Sequence, residues 1–369
     1  MGRRVLTLVA KEFLALLQDR KSRVVIVVPP ILQVLVFGYA ATFDLNHVPF
    51  AVYDEDRGDA SRRLLARFTG SPNFREVARI TRDAEIAPLL DRKEALLVLH
   101  FGPRFSSDPR RGRAAPLQAI VDGRNSNTAL LVLNYVSQIV VQFGDELAVR
   151  EGRAPPPARL ETRAWFNPNL ESQWFFVPGI IGLLTLVVTM LVTALSVARE
   201  RERGTFDQLL VTPLRPGEIL VGKALPGLLI GLVEATAIIL VATLWFRIPL
   251  LGHLWTLYAG LVVFLLSAIG VGLMISSLAV TQQQGLLGAF LFLVPSVILS
   301  GFATPIANMP AAVQYLTFLN PMRYFLIVLR GVFLQGTPLG LLLSQFWPMV
   351  VIAAVTLTLA GWLFRHRMY

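Results

Sequence analysis

WFFVPGIIGLLTLVVTMLVTALSVA, residues 174–198, runs directly into RERERGTFDQLLVTP, residues 199–213. The first stretch carries no charged side chain over 25 residues. A helix rises about 1.5 Å per residue, so about 20 apolar residues cross a hydrocarbon core of about 30 Å. The second stretch opens with five charged residues in a row and then meets Gly204. A membrane span ending in a charged helical turn is therefore predicted. Gly204 breaks it, Thr205 is placed to N-cap a following helix, and Gln208 is placed to reach back as its capping box. Phe206, Leu209 and Leu210 share an apolar face on that helix. Pro213 ends it, and Pro216 suits the first turn of the next helix. The expected product is a short amphipathic helix projecting from the membrane. Two readings fit it: a lever docked in a groove on another protein, or a loop lying on lipid headgroups.

Further apolar runs lie at residues 24–43, 224–246, 255–279, 285–302 and 344–364, making six expected spans. Trp174, Trp245, Trp255, Tyr258, Trp347 and Trp362 stand near their ends, as interfacial aromatics do. The composition agrees, with 54% hydrophobic and only 16% charged residues, against about 25% charged in soluble domains. Residues 1–23 form an amphipathic interfacial helix, with Leu6, Val9, Phe13, Leu16 and Leu17 on one face and Arg4, Lys11 and Gln18 on the other. The long basic segment ahead of residues 24–43 favours an uncleaved anchor over a signal peptide.

Orientation follows from lysine and arginine. Residues 1–23, the 199–223 loop and the C-terminal tail together hold 13 cations and 6 anions. Six spans put all three on one side, which is then cytoplasmic, with both termini. Residues 44–173 are left outside as an extracytoplasmic domain. In it, residues 48–53, 95–100 and 117–121 read as buried strands, and 59–68 and 82–93 as helices. That alternation points to a small α/β domain inserted after the first span. Residues 105–116 read as a mobile loop. Residues 129–143 are apolar, but Asn134, Ser137, Gln138 and Gln142 recur among them, so they read as a helix packed on the domain. A seventh span there would carry the basic 199–223 loop outside. Residues 303–343 hold Pro305, Pro310 and Pro321 and short apolar runs, and read as a re-entrant outer hairpin.

Several chemistries are excluded. There is no cysteine, and His47, His100, His253 and His366 lack metal-ligand spacing. No segment matches the nucleotide-binding P-loop, a dinucleotide loop or a hydrolase signature. The net charge of +10 is read as attraction to a membrane surface, not to nucleic acid. No cofactor is expected on this chain.

Residues 200–213, ERERGTFDQLLVTP, resemble the cytoplasmic coupling segment of type-2 ABC exporter permeases. LSGFATP at 299–305 followed by NMP at 308–310 is similar to their span-five exit. Asn320, Pro321, Tyr324, Arg330 and Gly331 match the outer hairpin that follows. FNP at 166–168 and FVP at 176–178 resemble the start of their second span. The likeness covers the whole chain. It implies an integral inner-membrane permease for drug, lipid or polysaccharide efflux. It also implies a dimeric core, of two copies or with a paralogue, and a separate ABC ATPase that holds ATP and Mg. Relatives organised in this way often work with a periplasmic adaptor. Glu200, Glu202, Arg203, Gly204, Thr205, Phe206, Leu209, Leu210 and Pro213 would couple to the ATPase.

Glu234 falls in the middle of the 224–246 span. A carboxylate there costs a few kcal/mol unless it is paired or protonated, and is a functional candidate by default. It could attract cationic substrate, carry a proton, or bond structurally to another helix. Gly270, Gly272, Ser276 and Ser277 allow close helix contact, within one subunit or between two. Gln282, Gln283 and Gln284 read as a solvated turn. Two other functions stay in view. One is a secondary transporter coupled to protons through Glu234. The other is a membrane-anchored sensor or scaffold whose external domain binds ligand or protein.

Overall fold

The computed structural model describes residues 2–18, 20–40, 45, 47–111, 113–150, 152, 165–167, 171–202, 204–205 and 215–366. The chain forms two compact units. One comprises Met1–Thr42 with Ala164–Tyr369, and the other is Phe43–Arg163.

The first unit is helical. Its elements are α1 (Gly2–Gln18), α2 (Arg20–Ala40), α7 (Ser172–Glu202), α8 (Pro216–Leu240), α9 (Leu254–Leu278), α10 (Gln282–Ile298), α11 (Ala311–Leu316), α12 (Pro321–Arg330) and α13 (Leu339–His366). Among the described residues, four helices are long and apolar enough to cross a membrane: Ser172–Glu202, Gly217–Trp245, Leu254–Leu278 and Leu339–His366. The pair Ala311–Leu319 and Pro321–Gln335, bent by 83°, makes a fifth if taken as one span. The spans expected at 24–43 and 285–302 appear as shorter apolar helices, Pro30–Tyr39 and Gln282–Ile298. Seventeen helical residues reach about 25 Å, short of a hydrocarbon core of about 30 Å. The first turn of α2 is occupied by Arg20, Lys21 and Arg23.

Around an apolar core, the helical unit also buries hydroxyls and leaves large apolar side chains on its outside. Thr185, Thr189, Thr193, Ser267 and Ser276 are fully buried, whereas Leu291 is 78% exposed. That arrangement is economical only when the surrounding solvent is apolar. Two of these hydroxyls bond back along their own helices, Thr185 to the Ile181 carbonyl at 2.6 Å and Thr193 to that of Thr189 at 2.7 Å. Ser267 instead crosses to α13, donating to the Met349 carbonyl at 3.0 Å. Small residues permit such approach. A Cβ added at Gly272 would lie 3.0 Å from Thr193 Cβ and 3.3 Å from the Met190 carbonyl oxygen. One added at Gly270 would lie 2.9 Å from the Leu357 nitrogen. The close contacts expected of these glycines are thus made within one chain.

α1 packs on the helical unit through Leu8. Leu8 is buried against Gly222, while Leu6 is 73% exposed. Lys11, one turn after Leu8, shares that inward face and reaches Glu200.

The second unit is an α/β domain: β1 (Val48–Asp54), α3 (Asp59–Thr69), β2 (Phe74–Ile80), α4 (Ile86–Asp91), β3 (Leu97–Phe101), α5 (Ser107–Arg110), β4 (Leu117–Val121) and α6 (Ser126–Arg150). The strand order is β2-β1-β3-β4. β1 runs parallel to β2 and β3, and β4 is antiparallel to β3. Phe50, Val52, Leu97 and Leu99 pack with Leu64 and Phe68 of α3 and with Val132, Val136 and Phe143 of α6. The other sheet face packs on Ile86 of α4. Residues 129–143 are therefore a helix of this domain. β2 escapes sequence reading because it is an edge strand, FREVARI, whose outward residues are charged. Residues 105–116, read as loop, include the single turn α5.

Gly272→Val is expected to destabilise the helical unit by about 1–3 kcal/mol through overpacking. Gly217→Ala, where an added Cβ meets nothing within 4 Å, should leave thermal unfolding in detergent unchanged.

Candidate functional site

Helix α7 ends at Glu202 in a closed C-terminal motif. Gly204 is left-handed at φ 70°. Its N–H donates to the Arg201 carbonyl at 3.1 Å, and the Thr205 N–H donates to that of Glu200 at 3.0 Å. This is the Schellman pairing, which satisfies carbonyls left over at a helix end. The Thr205 hydroxyl also points to the Glu200 carbonyl, at 3.4 Å. Thr205 thus closes α7. Arg203, Phe206, Leu209, Leu210 and Pro213, with Gln208, lie outside the described residues. The next helix begins as expected, with Pro216 in its first turn and Glu218 accepting from the Arg215 N–H at 2.9 Å.

Three consecutive residues before Gly204 each hold a different helix. Successive side chains on a helix leave its axis about 100° apart, so they must face different neighbours. Glu200 faces α1 and α8: Lys11 Nζ donates to its Oε1 at 3.1 Å, and Lys223 Nζ lies 2.6 Å from Oε2. Arg201 faces the end of α9, donating to the carbonyls of Ser277 at 2.8 Å and Ala279 at 3.3 Å. Glu202 faces the start of α10, accepting from the Gln282 backbone at 2.8 Å and from its side-chain amide at 3.2 Å. One helix terminus thereby supplies partners for orphan groups at two others. Ser276 adds a further tie, its hydroxyl oxygen accepting from the N–H groups of Val197 and Ala198 at 2.9 and 3.2 Å. The glutamines after α9 are accordingly anchored: Gln284 accepts from the Val280 N–H at 2.9 Å, besides the bonds of Gln282.

The second cluster is the hairpin of α11 and α12. Pro305 precedes a short turn, Ile306–Asn308, and accepts from the Asn308 N–H at 3.1 Å. The Pro310 carbonyl accepts from Val313 and Gln314 at 2.9 and 3.0 Å, starting α11. Asn320 sits buried at the 83° bend. Its side chain accepts from the Met322 N–H at 3.1 Å and donates to the Ser296 carbonyl at 2.7 Å. It therefore caps α12 and ties the bend to α10, while Pro321 fills the first helical position. Phe325 of α12 stacks on Phe264 with ring centres 4.3 Å apart. Arg330 ends α12 with its guanidinium 4.0 Å over the Phe175 ring. Its Nε and one terminal nitrogen have no hydrogen-bond partner among the described residues.

Glu234 stands apart from both clusters. It is 6% exposed in α8, and neither carboxylate oxygen has a hydrogen-bond partner among the described residues. One turn earlier, Gly231 faces Thr189 of α7, a buried hydroxyl also without an acceptor or donor there.

Residues 20–362 match the family described as ABC-2 family transporter protein. The chain belongs to the ABC-2 transporter family. This ABC-2 chain is 40% identical over 368 residues to "Probable multidrug ABC transporter permease YbhR" of Escherichia coli K12, covering 100% of both chains. It is 35% identical over 340 residues to "Probable multidrug ABC transporter permease YbhS" of the same strain, covering 90% of this chain and 89% of the relative. It is also 29% identical over 366 residues to "Inner membrane transport permease YhhJ", covering 98% and 97%.

Lys223 is the residue that sequence reading undervalued in this ABC-2 chain. It was counted among loop cations, yet its side chain is only 1% exposed. The signal was its position, within an apolar run that has already become helix α8.

Glu200→Gln removes the carboxylate charge 2.6 Å from the buried Lys223 ammonium and is expected to cost about 3–5 kcal/mol. Lys11→Gln removes a side chain that is 55% exposed and is expected to cost at most about 1 kcal/mol. Thermal unfolding of the purified protein checks the order. Recovery of stability in Glu200→Leu/Lys223→Leu would show that the loss came from the broken charge pair.

Proposed function

We propose that this ABC-2 chain is the permease subunit of an inner-membrane exporter that moves a drug, lipid or other amphiphile outward. A separate ATPase subunit binds ATP and Mg and supplies the energy. Two permease subunits, identical or paralogous, form the pathway. Six spans, with α2 and α10 as the shorter two, place both termini in the cytoplasm and domain 44–173 outside. A periplasmic adaptor and bound lipid are further partners of this arrangement. The observation that carries the reading is the end-to-end likeness to a protein named as a multidrug ABC transporter permease.

The mechanism follows from the charged end of α7. ATP binding closes the two ATPases, and the segment carrying Phe206, Leu209 and Leu210 follows the surface on which it docks. That segment joins α7 just beyond Gly204. Glu200, Arg201 and Glu202 hold α1, α8, α9 and α10, so a push on α7 moves four neighbours together instead of bending one helix. The cavity then alternates between access from inside and release outside, with the α11–α12 hairpin at the outer exit. Glu234 lines the pathway and attracts cationic substrate.

A stoichiometric partner bearing nucleotide-binding motifs is expected when the protein is purified gently from native membranes and its companions are identified by mass spectrometry. Leu209→Asp/Leu210→Asp is expected to abolish transport while the protein remains folded in the membrane. Retained ATPase docking and transport in that variant would remove the lever assignment. Glu234→Gln is expected to reduce export of cationic substrates by about tenfold, the scale of one lost charge contact of 1.4 kcal/mol. The unpartnered carboxyl of Glu234 favours a second reading, proton-coupled secondary transport. Isolation of the chain alone, with transport driven only by a proton gradient, would establish that reading instead.

A further inference from the structure

A crevice of about 310 Å³ opens in the α/β domain beside the carboxyl ends of β1 and β2. Its lining divides sharply. Val52, Leu65 and Ile80 are buried and apolar, whereas Arg57, Arg62 and Arg79 are exposed and cationic. The fold brings them together in a simple way. Arg79 pairs across the strands with Val52, so both project from one sheet face. α3 covers that face and presents Arg62 and Leu65, three residues apart on one side of the helix. The turn after β1 carries Arg57 with φ 50°.

Of the three arginines on this wall, Arg79 is paired and the other two are not, among the described residues. Asp54 is the acid in the lining, and its oxygens are already committed. They accept from the N–H groups of Asp56 at 3.0 Å and Arg57 at 2.9 Å, and from the Ser61 hydroxyl at 3.0 Å. Arg79 donates to Glu76 at 2.5 Å. Neither Arg57 nor Arg62 has an ion-pair partner among the described residues. The N-terminus of α3 adds no free donor at Ala60, because Ser106 Oγ accepts its N–H at 3.1 Å.

We propose that this crevice binds a small amphiphilic anion, its phosphate, sulfate or carboxylate head on Arg57 and Arg62 and its apolar part against Val52 and Leu65. A volume near 310 Å³ suits a small ligand, and guanidinium groups hold oxyanions through paired, charge-assisted hydrogen bonds. The site lies wholly within residues 52–81 and does not depend on the direction of transport.

The test is equilibrium dialysis of hexyl phosphate against the full-length protein in nanodiscs of zwitterionic lipid, with empty nanodiscs as the blank. One saturable site is expected. Arg57→Gln/Arg62→Gln is expected to weaken it by about tenfold or more, and Arg57→Lys/Arg62→Lys by less, because lysine keeps the charge but not the paired geometry. Hexanol and inorganic phosphate should each bind more weakly than hexyl phosphate. Repeating the dialysis in nanodiscs of anionic phosphatidylglycerol separates the sources: competition identifies a lipid headgroup, and undiminished binding identifies a soluble anion. No saturable binding, binding unaltered by the double glutamine variant with unchanged thermal unfolding, or inorganic phosphate binding as tightly as hexyl phosphate would each overturn the proposal.

Discussion

A hydroxyl or a carbonyl in hydrocarbon has no water to turn to, and the helical unit is arranged around that constraint. Thr185, Thr193 and Ser267 point inward and bond to carbonyls of their own helix or of a neighbour, while leucines such as Leu291 face out. Glycine at 270 and 272 lets α9 come close enough to α13 and α7 for contacts of this kind. Hydrophobic burial cannot draw these helices together, because lipid is as apolar as they are. Close packing and satisfied polar groups have to hold them instead.

The same constraint explains the charged terminus of α7. Helix ends leave backbone groups unpaired, and several ends meet near Gly204. Arg201 serves the carbonyls closing α9, Glu202 serves the amides opening α10, and the Schellman motif serves α7 itself. Glu200 compensates the buried cation of Lys223 at 2.6 Å. A run of alternating charges that looks like a solvated tail is therefore a set of structural ties. Together they bind the end of α7 to α1, α8, α9 and α10. Asn320 does comparable work at the other cluster, where one side chain caps α12 and fixes its bend to α10.

The α/β domain obeys the opposite solvent. Its apolar residues face inward on both sides of the sheet and its arginines face out. Most of it was legible by alternation, because β1, β3 and β4 carry apolar runs. β2 was not, because an edge strand shows charge where a central strand shows valine. The helix at 126–150 was legible only as a compromise, since its apolar face would suit lipid as well as a sheet.

The sequence by itself determined the apolar spans, the break at Gly204, the proline start of α8, the packing glycines and the likeness to ABC permeases. These are local properties of periodicity, charge and backbone freedom, and they need no knowledge of neighbours. Only the tertiary structure decided that Glu200 meets both Lys11 and Lys223, that Gln282 is anchored, that Asn320 bonds Ser296, and that Glu234 has no partner in the described chain. Each depends on which helices lie side by side and at what register. A side chain about 6 Å long finds or misses its partner with a shift of one helical turn, about 5.4 Å. Spacing along the chain carries no record of that register.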